Sequence, residues 1–447
     1  MKIKVDFPNR KIQDIVKRLL RAGLEAADPG VAMKRAVKVQ DGILRVGNRR
    51  FNLKQFERVV CVGAGKASGT MAVTLEKLLG SRLDSGVVVV KDGHGQRTEK
   101  IRLLEARHPV PDSRSEQAAK LILEAAQSLT PRDLLIVLLS GGASSLVAAP
   151  AIGLSLTDKQ TTTTLLLRSG ANIREVNTVR KHLSAIKGGQ LLARTSAPVI
   201  TLVLSDVLGD DLGTIGSGLT APDPTTFRDA QAILKNYRVW RDVPASVRKH
   251  VETGAKGHLP DTPKPGMDLF ARVHHEVLGN NRLAIQTVAD QAKALGFQPL
   301  ILTTQLQGEA REMGSMIGAV AREIHETEQP LPRPACLLWG GELTVRVTGD
   351  GKGGRAQELA LAAAVKVAGL PKMFVVGFGT DGTDGPTDAA GAVVDGETIA
   401  RARKRKFDPL NFLAKNDSYT FFKKSGGHIH TGPTGTNVND VYMLLSM

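Results

Sequence analysis

A glycine-rich loop and an acidic loop near the C-terminal end contain residue types that bind phosphate and metal ions. Residues 349–355 lie between an alternating, strand-like run and an alanine- and leucine-rich helix, so we expect their glycines to open the N-terminus of that helix. Unpaired backbone N–H groups and the positive end of the helix dipole favour an anion there. Lys352 and Arg355 add positive charge, and an arginine can donate to two oxygens at once. The predicted phosphate-binding residues of this loop are Lys352, Gly353 and Gly354.

The acidic loop follows the next predicted strand, residues 373–379. Asp381, Asp384 and Asp388 are closely spaced in it, and carboxylate oxygens are the hard ligands that Mg²⁺ prefers. Because open α/β sheets bind ligands outside the carboxyl ends of their strands, we predict that Asp381 and Asp384 hold a metal beside a nucleotide or a phosphorylated product. The alternative is that both loops are ordinary turns, since Asp-Gly pairs are common turn formers.

A second glycine turn, at residues 63–69, follows an apolar strand and opens a helix. Its pattern, Gly-x-Gly-x-x-x-Gly, is one residue longer than the common dinucleotide fingerprint. Gly63 and Gly65 bracket the turn, and Lys66 places a flexible ammonium at a helix N-terminus, which suits a phosphate or a carboxylate. Two alternatives remain open: a turn that only packs the helix against the strand, or an NAD site in which Asp92 holds the ribose hydroxyls.

Two more predicted strands end in polar loops. Residues 134–139 lead into a loop of serines and glycines, whose hydroxyls and exposed amides can form an oxyanion or phosphate nest. The absence of a Gly-x-Ser-x-Gly elbow disfavours hydrolase chemistry at Ser144. The strand at residues 199–204 ends at Asp206, our first candidate for a metal ligand or a base. The predicted binding residues of the first loop are Ser140, Gly141, Gly142, Ser144 and Ser145.

A basic segment lies in a predicted helical region between these two strands. Arg180, Ser184 and Lys187 recur at spacings of four and three, which would place them on one helix face. We predict that Arg180 and Lys187 bind an anion; the alternative is a solvent-exposed basic face. The remaining predicted substrate-binding residues are Asn281, at the start of a later helix, and Glu342, after a strand.

Composition indicates a loop-rich α/β protein with an anionic partner. The 447 residues are enough for two or three domains, and 42% hydrophobic residues with 46 glycines fit an α/β enzyme. The formal net charge of +16 raises nucleic acid as a partner. Aromatic residues make up only 4%, however, so stacking platforms for a single strand are not evident. A small anionic substrate explains the charge equally well, and we expect no nucleic-acid partner.

The chain has the features of a cytoplasmic protein. Its two cysteines, Cys61 and Cys336, lie in apolar runs and are expected to be reduced core residues. The N-terminal residues contain no apolar segment typical of a secretion signal. The most apolar stretch, residues 134–149, is interrupted by small polar residues and is shorter than the ~20 residues that a membrane-spanning helix needs. We therefore expect a cytoplasmic location without a membrane partner.

Nine short motifs occur together along the chain, at residues 62–67, 108–112, 139–146, 177–182, 204–206, 340–342, 353–358, 379–385 and 432–440. With these motifs the chain resembles the class II glycerate 2-kinases, whose C-terminal part is known as the MOFRL domain. The resemblance covers nearly the whole chain. It implies an α/β fold with two Rossmann-like three-layer domains and a cleft between them. We expect one domain at residues 1–245, which could include part of 270–330, a linker or peripheral loop at 246–270, and a MOFRL-type domain at 271–447.

The resemblance also implies a reaction and its substrates. Class II glycerate 2-kinases use ATP and Mg²⁺ to phosphorylate the C2 hydroxyl of D-glycerate, which gives 2-phosphoglycerate. Lys66 and Arg355 match family positions thought to grip the substrate and the transferring phosphate. Asp206 or Asp384 would bind Mg²⁺ or face the glycerate hydroxyl, and we take Lys66, Arg355 and Asp206 as the catalytic residues. D-glycerate and ATP are the expected partners, and a homodimer is an open possibility.

The main alternative is an NAD(P)H-dependent hydroxypyruvate reductase, a label that some relatives carry. In that case residues 63–69 and Asp92 would bind the dinucleotide, and His108 or His182 would act as the acid. This alternative leaves the acidic loop at residues 379–388 without a role, because hydride transfer needs no Mg²⁺. A non-catalytic sensor would need a further module, and we find no helix-turn-helix signature. We therefore favour the kinase.

Overall fold

The computed structural model describes residues 2–447 as a mixed α/β protein. The strands are β1 (Lys4–Val5), β2 (Val37–Gln40), β3 (Ile43–Val46), β4 (Arg49–Asn52), β5 (Val59–Ala64), β6 (Ser85–Lys91), β7 (Ile101–Ala106), β8 (Leu134–Leu139), β9 (Val199–Leu204), β10 (Val273–Gly279), β11 (Gln298–Leu306), β12 (Ala335–Gly341), β13 (Met373–Gly379), β14 (Gly391–Asp395), β15 (His428–His430) and β16 (Asp440–Ser446).

Helices connect most of these strands. They are α1 (Arg10–Ala27), α2 (Pro29–Ala36), α3 (Ser68–Leu79), α4 (Ser113–Gln127), α5 (Ala143–Leu146), α6 (Leu156–Arg168), α7 (Ile173–His182), α8 (Gln190–Ala193), α9 (Phe227–Asn236), α10 (Ala245–Ala255), α11 (Asn281–Ala294), α12 (Ala310–Thr327), α13 (Arg355–Val367), α14 (Thr398–Lys404), α15 (Pro409–Ala414) and α16 (Ser418–Ser425). Within residues 2–447, no helix is both long and apolar enough to cross a membrane.

The chain divides into two compact units. Ala32–Leu278 forms one, which we call the inner unit, and the segment ending at Val31 joins Gly279–Met447 in the other, which we call the terminal unit. The α/β class with two domains is confirmed. The N-terminal segment, expected in the first domain, instead packs with the C-terminal part, because the apolar face of α1 covers α11 and one face of its sheet.

Residues 246–270, expected to be a linker, belong to the inner unit. They include most of α10, and the segment after it is hydrogen-bonded to the loop that precedes α9. Asp223 N donates to Pro263 O at 2.9 Å, and Thr262 Oγ1 donates to the Asp223 carboxylate at 3.0 Å. Val247 and Val251 of α10 are buried in a hydrophobic cluster, whereas the segment that follows α10 is held by these polar contacts.

The inner unit contains a six-stranded sheet in the order β10-β9-β8-β5-β6-β7. The strands from β9 to β7 in this order are parallel. β5, β8 and β9 are buried along their whole length, which explains their almost uninterrupted aliphatic sequences. The strand order reverses between β5 and β8, and ligands of such sheets bind outside the carboxyl ends of the strands at this point. A separate antiparallel sheet is formed by β2, β3 and β4.

The terminal unit contains a seven-stranded sheet in the order β1-β15-β14-β13-β16-β12-β11. Only β11 and β12 are parallel neighbours, so this sheet is mixed rather than all parallel. α1 and α11 cover one face, and α12 and α13 cover the other. β16 lies between β12 and β13 and runs antiparallel to both, which places Asp440 opposite Gly341 and Gly379. The loops that follow β12 and β13 therefore start beside Asp440.

Candidate functional site

In the inner unit, the glycine turn after β5 and the serine loop after β8 are hydrogen-bonded to each other. Lys66 N donates to Gly141 O at 2.9 Å, and Ala67 N donates to Ser140 Oγ at 3.1 Å. Gly65 has a φ of +143°, and a Cβ there would overlap Ser140 Oγ, so only glycine fits. Ser140 is buried and its hydroxyl lies 3.0 Å from Ser68 Oγ. Ser140 therefore shapes the turn from inside instead of presenting its hydroxyl to a ligand.

Lys66, His108 and Asp206 surround the next two glycines of the serine loop. A Cβ on Gly142 would lie 2.9 Å from the His108 ring and 3.4 Å from Lys66 Cγ, and a Cβ on Gly141 would overlap the Asp206 carboxylate. The Lys66 ammonium makes no hydrogen bond or ion pair with any residue between 2 and 447. The structure thus brings two predicted catalytic residues, Lys66 and Asp206, to the switch point of this sheet.

A cavity of about 320 Å³ lies beside the same loop, within the inner unit. Its wall includes Gly142, Ser144 and Ser145, as predicted for a binding loop. The residues of the wall that can carry positive charge are His108, Lys159, Arg180 and Lys187. No aspartate or glutamate lines the cavity among the described residues. Such a composition suits a small anion.

The two lysines of the cavity are held by backbone carbonyl groups. Lys187 Nζ donates to Ser144 O at 2.8 Å and to Val147 O at 3.2 Å, and Lys159 Nζ donates to Leu183 O at 2.8 Å. Both side chains are buried. The half-buried Arg180 guanidinium, in contrast, makes no hydrogen bond or ion pair within the described chain. All donors of the Arg180 guanidinium are therefore available to a ligand, whereas each lysine uses one or two of its donors on backbone carbonyls.

Arg180 and Lys187 both line the cavity, but they do not lie on one helix face as predicted. α7 ends at His182, so Ser184 and Lys187 lie in the turn that follows it. Ser184 Oγ donates to Ala149 O at 3.1 Å and accepts from Lys187 N at 3.3 Å. Lys159, on α6, completes the group and was missed from the sequence, because nothing near it indicates that α6 turns a lysine inward.

Burial disfavours the charged form of every cation in the wall. It lowers the pKa of Lys159 to about 7, with Arg180 adding repulsion, and lowers the pKa of Lys187 well below its usual range. Burial also lowers the pKa of Arg180, and together with Lys66 and Lys91 it lowers the pKa of His108 to about 4. The cavity is short of negative charge, and a bound anion would reverse these shifts.

In the terminal unit, the N-terminus of α13 already holds a carboxylate of the protein. Asp384 accepts hydrogen bonds from Ala356 N at 3.0 Å, Gln357 N at 2.9 Å and Gln357 Nε2 at 2.9 Å. A Cβ on Gly354 would overlap Asp384, so the glycine allows this contact. Burial raises the pKa of Asp384 despite these donors. The anion at this helix N-terminus is thus the Asp384 carboxylate and not a ligand. The contacts of Asp384 with the helix do not support the prediction that Asp384 binds Mg²⁺.

Arg355 lies between two carboxylates. Its Nε and Nη2 donate to Asp440 at 2.5 and 3.0 Å, and its Nη1 donates to Glu342 at 2.8 Å. Burial would lower the pKa of Arg355, but the charges of Asp440 and Glu342 outweigh it and raise the pKa. Burial raises the pKa of Asp440 to about 6, and Tyr442 OH also donates to it at 2.6 Å. Sequence reasoning missed Asp440, although it closes the last family motif.

Glu342 is the partner that Arg355 can exchange. Its side chain is 46% exposed, whereas that of Asp440 is 2% exposed. Asn439 Nδ2 holds the second Glu342 oxygen at 3.0 Å. An incoming phosphate could replace Glu342 at Arg355 while Asp440 keeps the guanidinium oriented.

The other predicted residues of the terminal unit have distinct surroundings. Lys352 is exposed, and its ammonium lies 5.0 Å from the centre of the Tyr419 ring. Gly353 packs tightly on Ser418, which explains the glycine there. Asn281, predicted to bind substrate, is instead buried, and its amide donates to Val438 O and Asp440 O at 2.8 and 2.9 Å. Asn281 therefore fixes the start of β16.

Asp381 in the terminal unit and Asp206 in the inner unit are each less buried than Asp384, so each is a better single candidate for a magnesium ligand. One Asp381 oxygen accepts from Thr383 N at 3.0 Å, and its other oxygen has no hydrogen-bond partner in the described chain. Asp206 is half-buried beside Gly141. Among residues 2–447 no group of three or more His, Cys, Asp or Glu side chains could hold a metal ion. Mg²⁺ in nucleotide sites usually needs only one or two carboxylates besides phosphates and water, so single carboxylates fit.

A doubly wound sheet with an acid-free basic cavity beside its switch point is the arrangement expected of an α/β protein that binds a small anion. Residues 15–252 match the family model described as a domain of unknown function, DUF4147, and residues 335–440 match the MOFRL family. A glycerate 2-kinase of Pyrococcus horikoshii is 43% identical over 435 residues, which cover 97% of each chain. A putative hydroxypyruvate reductase of Agrobacterium vitis is 41% identical over 445 residues, covering 97% of this chain and 94% of the relative.

The fold also agrees with a solved structure. The crystal structure of a glycerate kinase from Thermotoga maritima superposes with a TM-score of 0.88 at 40% identity, covering 98% of this chain and 100% of the other. The chain belongs to the MOFRL family of class II glycerate 2-kinases.

Proposed function

We propose that the protein is a glycerate 2-kinase, which transfers the γ-phosphoryl group of ATP to the C2 hydroxyl of D-glycerate. The observation that carries the proposal is the cationic, acid-free cavity beside Lys66 and Asp206, in a chain similar over its full length to glycerate kinases. The transfer forms a bond between the C2 oxygen and the γ-phosphorus and breaks the bond between that phosphorus and the bridging oxygen of ADP. The hydroxyl proton must leave as the new bond forms.

Lys66 and Asp206 have complementary roles in this proposal. Phosphoryl transfer depends on positioning and on neutralising charge spread over the equatorial oxygens. The unpaired Lys66 ammonium can supply that charge. The turn from which its side chain extends is fixed by the backbone hydrogen bonds of Lys66 to Gly141 and of Ala67 to Ser140. Asp206 would accept the hydroxyl proton late in the transfer. Arg355 would bind phosphate after Glu342 is displaced, with Asp440 as its permanent partner.

Magnesium is part of the proposal. Asp206 in the inner unit and Asp381 in the terminal unit are the carboxylates that would each, within its own unit, bind Mg²⁺. When bound, Mg²⁺ neutralises charge on the nucleotide phosphates. A cytoplasmic location and a homodimer stay predictions.

The alternative function, a hydroxypyruvate reductase, is not supported by the contacts of the residues that it would need. Arg114 donates to both oxygens of Asp92 at 2.6 and 3.0 Å and lowers the pKa of Asp92, so this carboxylate is engaged by protein. His182 is buried, with its ring nitrogens at 2.9 Å from Asp261 and 2.8 Å from Thr178 O. Asp92 and His182 are thus not available for the roles that hydride transfer would give them. His108, the other candidate acid, has its pKa lowered to about 4 by burial and by the charge of Lys66, which disfavours its protonated form.

One experiment tests the proposed reaction. The purified protein is incubated with D-glycerate, ATP and Mg²⁺ and followed by proton-coupled phosphorus NMR, and a parallel assay with hydroxypyruvate and NADH is read by absorbance. We expect a new Mg²⁺-dependent phosphomonoester signal split into a doublet by the single C2 proton. A triplet would indicate transfer to the C3 hydroxyl. NADH consumption without phosphoryl transfer would overturn the proposal.

A further inference from the structure

The cavity of the inner unit contains more basic groups than the protein balances with acids. Lys159, Arg180 and Lys187 line it, and no acidic residue among those described does. Uncompensated buried charge is costly, so such a group is normally paired or faces an anion. The lysines serve in part to hold the backbone at Ser144 and Leu183. That role does not extend to Arg180, whose guanidinium has no partner in the described chain.

The size and lining of the cavity favour a small hydroxy acid over a nucleotide. A volume of about 320 Å³ is near the lower end for ligand pockets. Val110 and Leu167 give apolar walls, and the only aromatic ring among the described lining residues is that of His108, so a base has little to stack on. Thr163, Thr164 and Ser145 add hydroxyl groups that can pair with hydroxyls of the ligand.

The cavity lies next to the turn that carries Lys66. Gly142 lines the cavity, and Lys66 Cγ lies 3.4 Å from where the Gly142 Cβ would be. An acceptor bound in the cavity would therefore lie beside the residue that we place at the transferring phosphate.

We propose that this cavity is the acceptor subsite, in which Arg180 binds the D-glycerate carboxylate through two parallel hydrogen bonds while Lys159 and Lys187 supply charge behind it. The planar guanidinium matches a carboxylate in this geometry. The inference rests on the proposed function and adds a determinant of substrate choice: a free carboxylate next to the phosphorylated hydroxyl is required.

Isothermal titration calorimetry on the full-length protein tests this subsite. D-glycerate, glycerol, inorganic phosphate and a non-hydrolysable ATP analogue are titrated into wild type and Arg180→Gln, and D-glycerate is also titrated after saturation with the analogue. We expect Arg180→Gln to weaken D-glycerate binding by about 10- to 100-fold, the range for a hydrogen-bonded charged group, without weakening the analogue. Glycerol, which lacks the carboxylate, should not bind measurably.

Arg174→Gln is the matched control. Arg174 lies on the same helix, α7, is exposed, and its side chain makes no hydrogen bond or ion pair within residues 2–447, so its replacement should leave D-glycerate binding unchanged. If Arg180→Gln does not fold by circular dichroism, Arg180→Lys is used; it keeps the charge but loses the fork and should still weaken binding at least about fivefold.

Several outcomes would overturn the inference. They are unchanged D-glycerate affinity in the Arg180 variant, weakened binding of phosphate or the ATP analogue instead, and no saturable D-glycerate binding by wild type in either condition. A turnover assay separates this inference from the proposed function. Phosphoryl transfer with an unchanged KM for D-glycerate in Arg180→Gln would refute only the subsite, whereas Arg180-dependent binding without phosphoryl transfer would refute only the kinase.

Discussion

Replacement of Asp384 distinguishes a helix cap from a metal ligand. Asp384→Ala leaves Ala356 N and Gln357 N without their acceptor, while Gln357 Nε2 can still reach Thr387 Oγ1 at 3.2 Å. Loss of an N-terminal cap costs about 0.5–2 kcal/mol, and each buried donor without a partner costs about 1–3 kcal/mol. Removing a buried carboxylate whose pKa is raised offsets part of this cost. We expect the terminal unit to lose about 3 kcal/mol of unfolding free energy, and Asp384→Asn, which keeps one acceptor, to lose about 1 kcal/mol.

The assay must report on the terminal unit. Trp339 lies in β12 of that unit, and the chain's other tryptophan, Trp240, lies in the inner unit, so urea unfolding in a Trp240→Phe background follows the relevant fluorescence. Each Asp384 variant is compared with Asp388→Ala, which removes an exposed aspartate of the same loop. A loss below about 0.5 kcal/mol for Asp384→Ala, together with a raised Mg²⁺ requirement for turnover, would refute the cap and restore Asp384 as a metal ligand.

Three further predictions concern the inner unit. Lys66→Met should lower kcat for phosphoryl transfer by orders of magnitude. It should leave Tm unchanged, since the Lys66 ammonium has no partner in the described chain. Near-normal turnover of this variant would remove Lys66 from the mechanism. D-glycerate binding at pH 8 should take up protons, because Lys159 has its pKa lowered to about 7 and a bound anion raises it; calorimetry in two buffers of different ionisation enthalpy measures the uptake. Gly65→Ala should destabilise the protein by about 2–4 kcal/mol, since its Cβ overlaps Ser140, whereas Gly93→Ala, with open space, should cost about 1 kcal/mol in thermal unfolding.

The sign of the proton uptake follows from the charges around Lys159. Burial and the charge of Arg180 lower the pKa of Lys159. The basic groups Lys187 and His250 are also coupled to Lys159, and no acid among the described residues of the cavity wall opposes them. Lys159 is therefore mostly neutral at pH 8 in the free protein. Proton release on binding, or no net transfer, would contradict an anion at this position.

Local patterns determined much of the fold before any contact was known. The aliphatic runs at β5, β8, β9 and β13 predicted buried strands, and the glycines that follow them predicted tight loops at the strand ends. Both properties depend on burial and backbone conformation, which act within a few residues. The joint occurrence of nine motifs also identified the family, because loops that build one site recur together in sequence.

Long-range contacts decided which polar groups are open to a ligand. Asp384 was expected to bind metal, yet it caps a helix that begins 29 positions earlier in the chain, and Ser140 and Asn281 are likewise engaged by distant backbone groups. Lys159 had no local signal and joined Arg180 and Lys187 only through the packing of α6 beside α7. The sequence by itself determined which residue types stand at the strand ends. Only the tertiary structure decided which of them keep an unpaired charge, because the partner of a buried polar group is set by whichever segment folds against it.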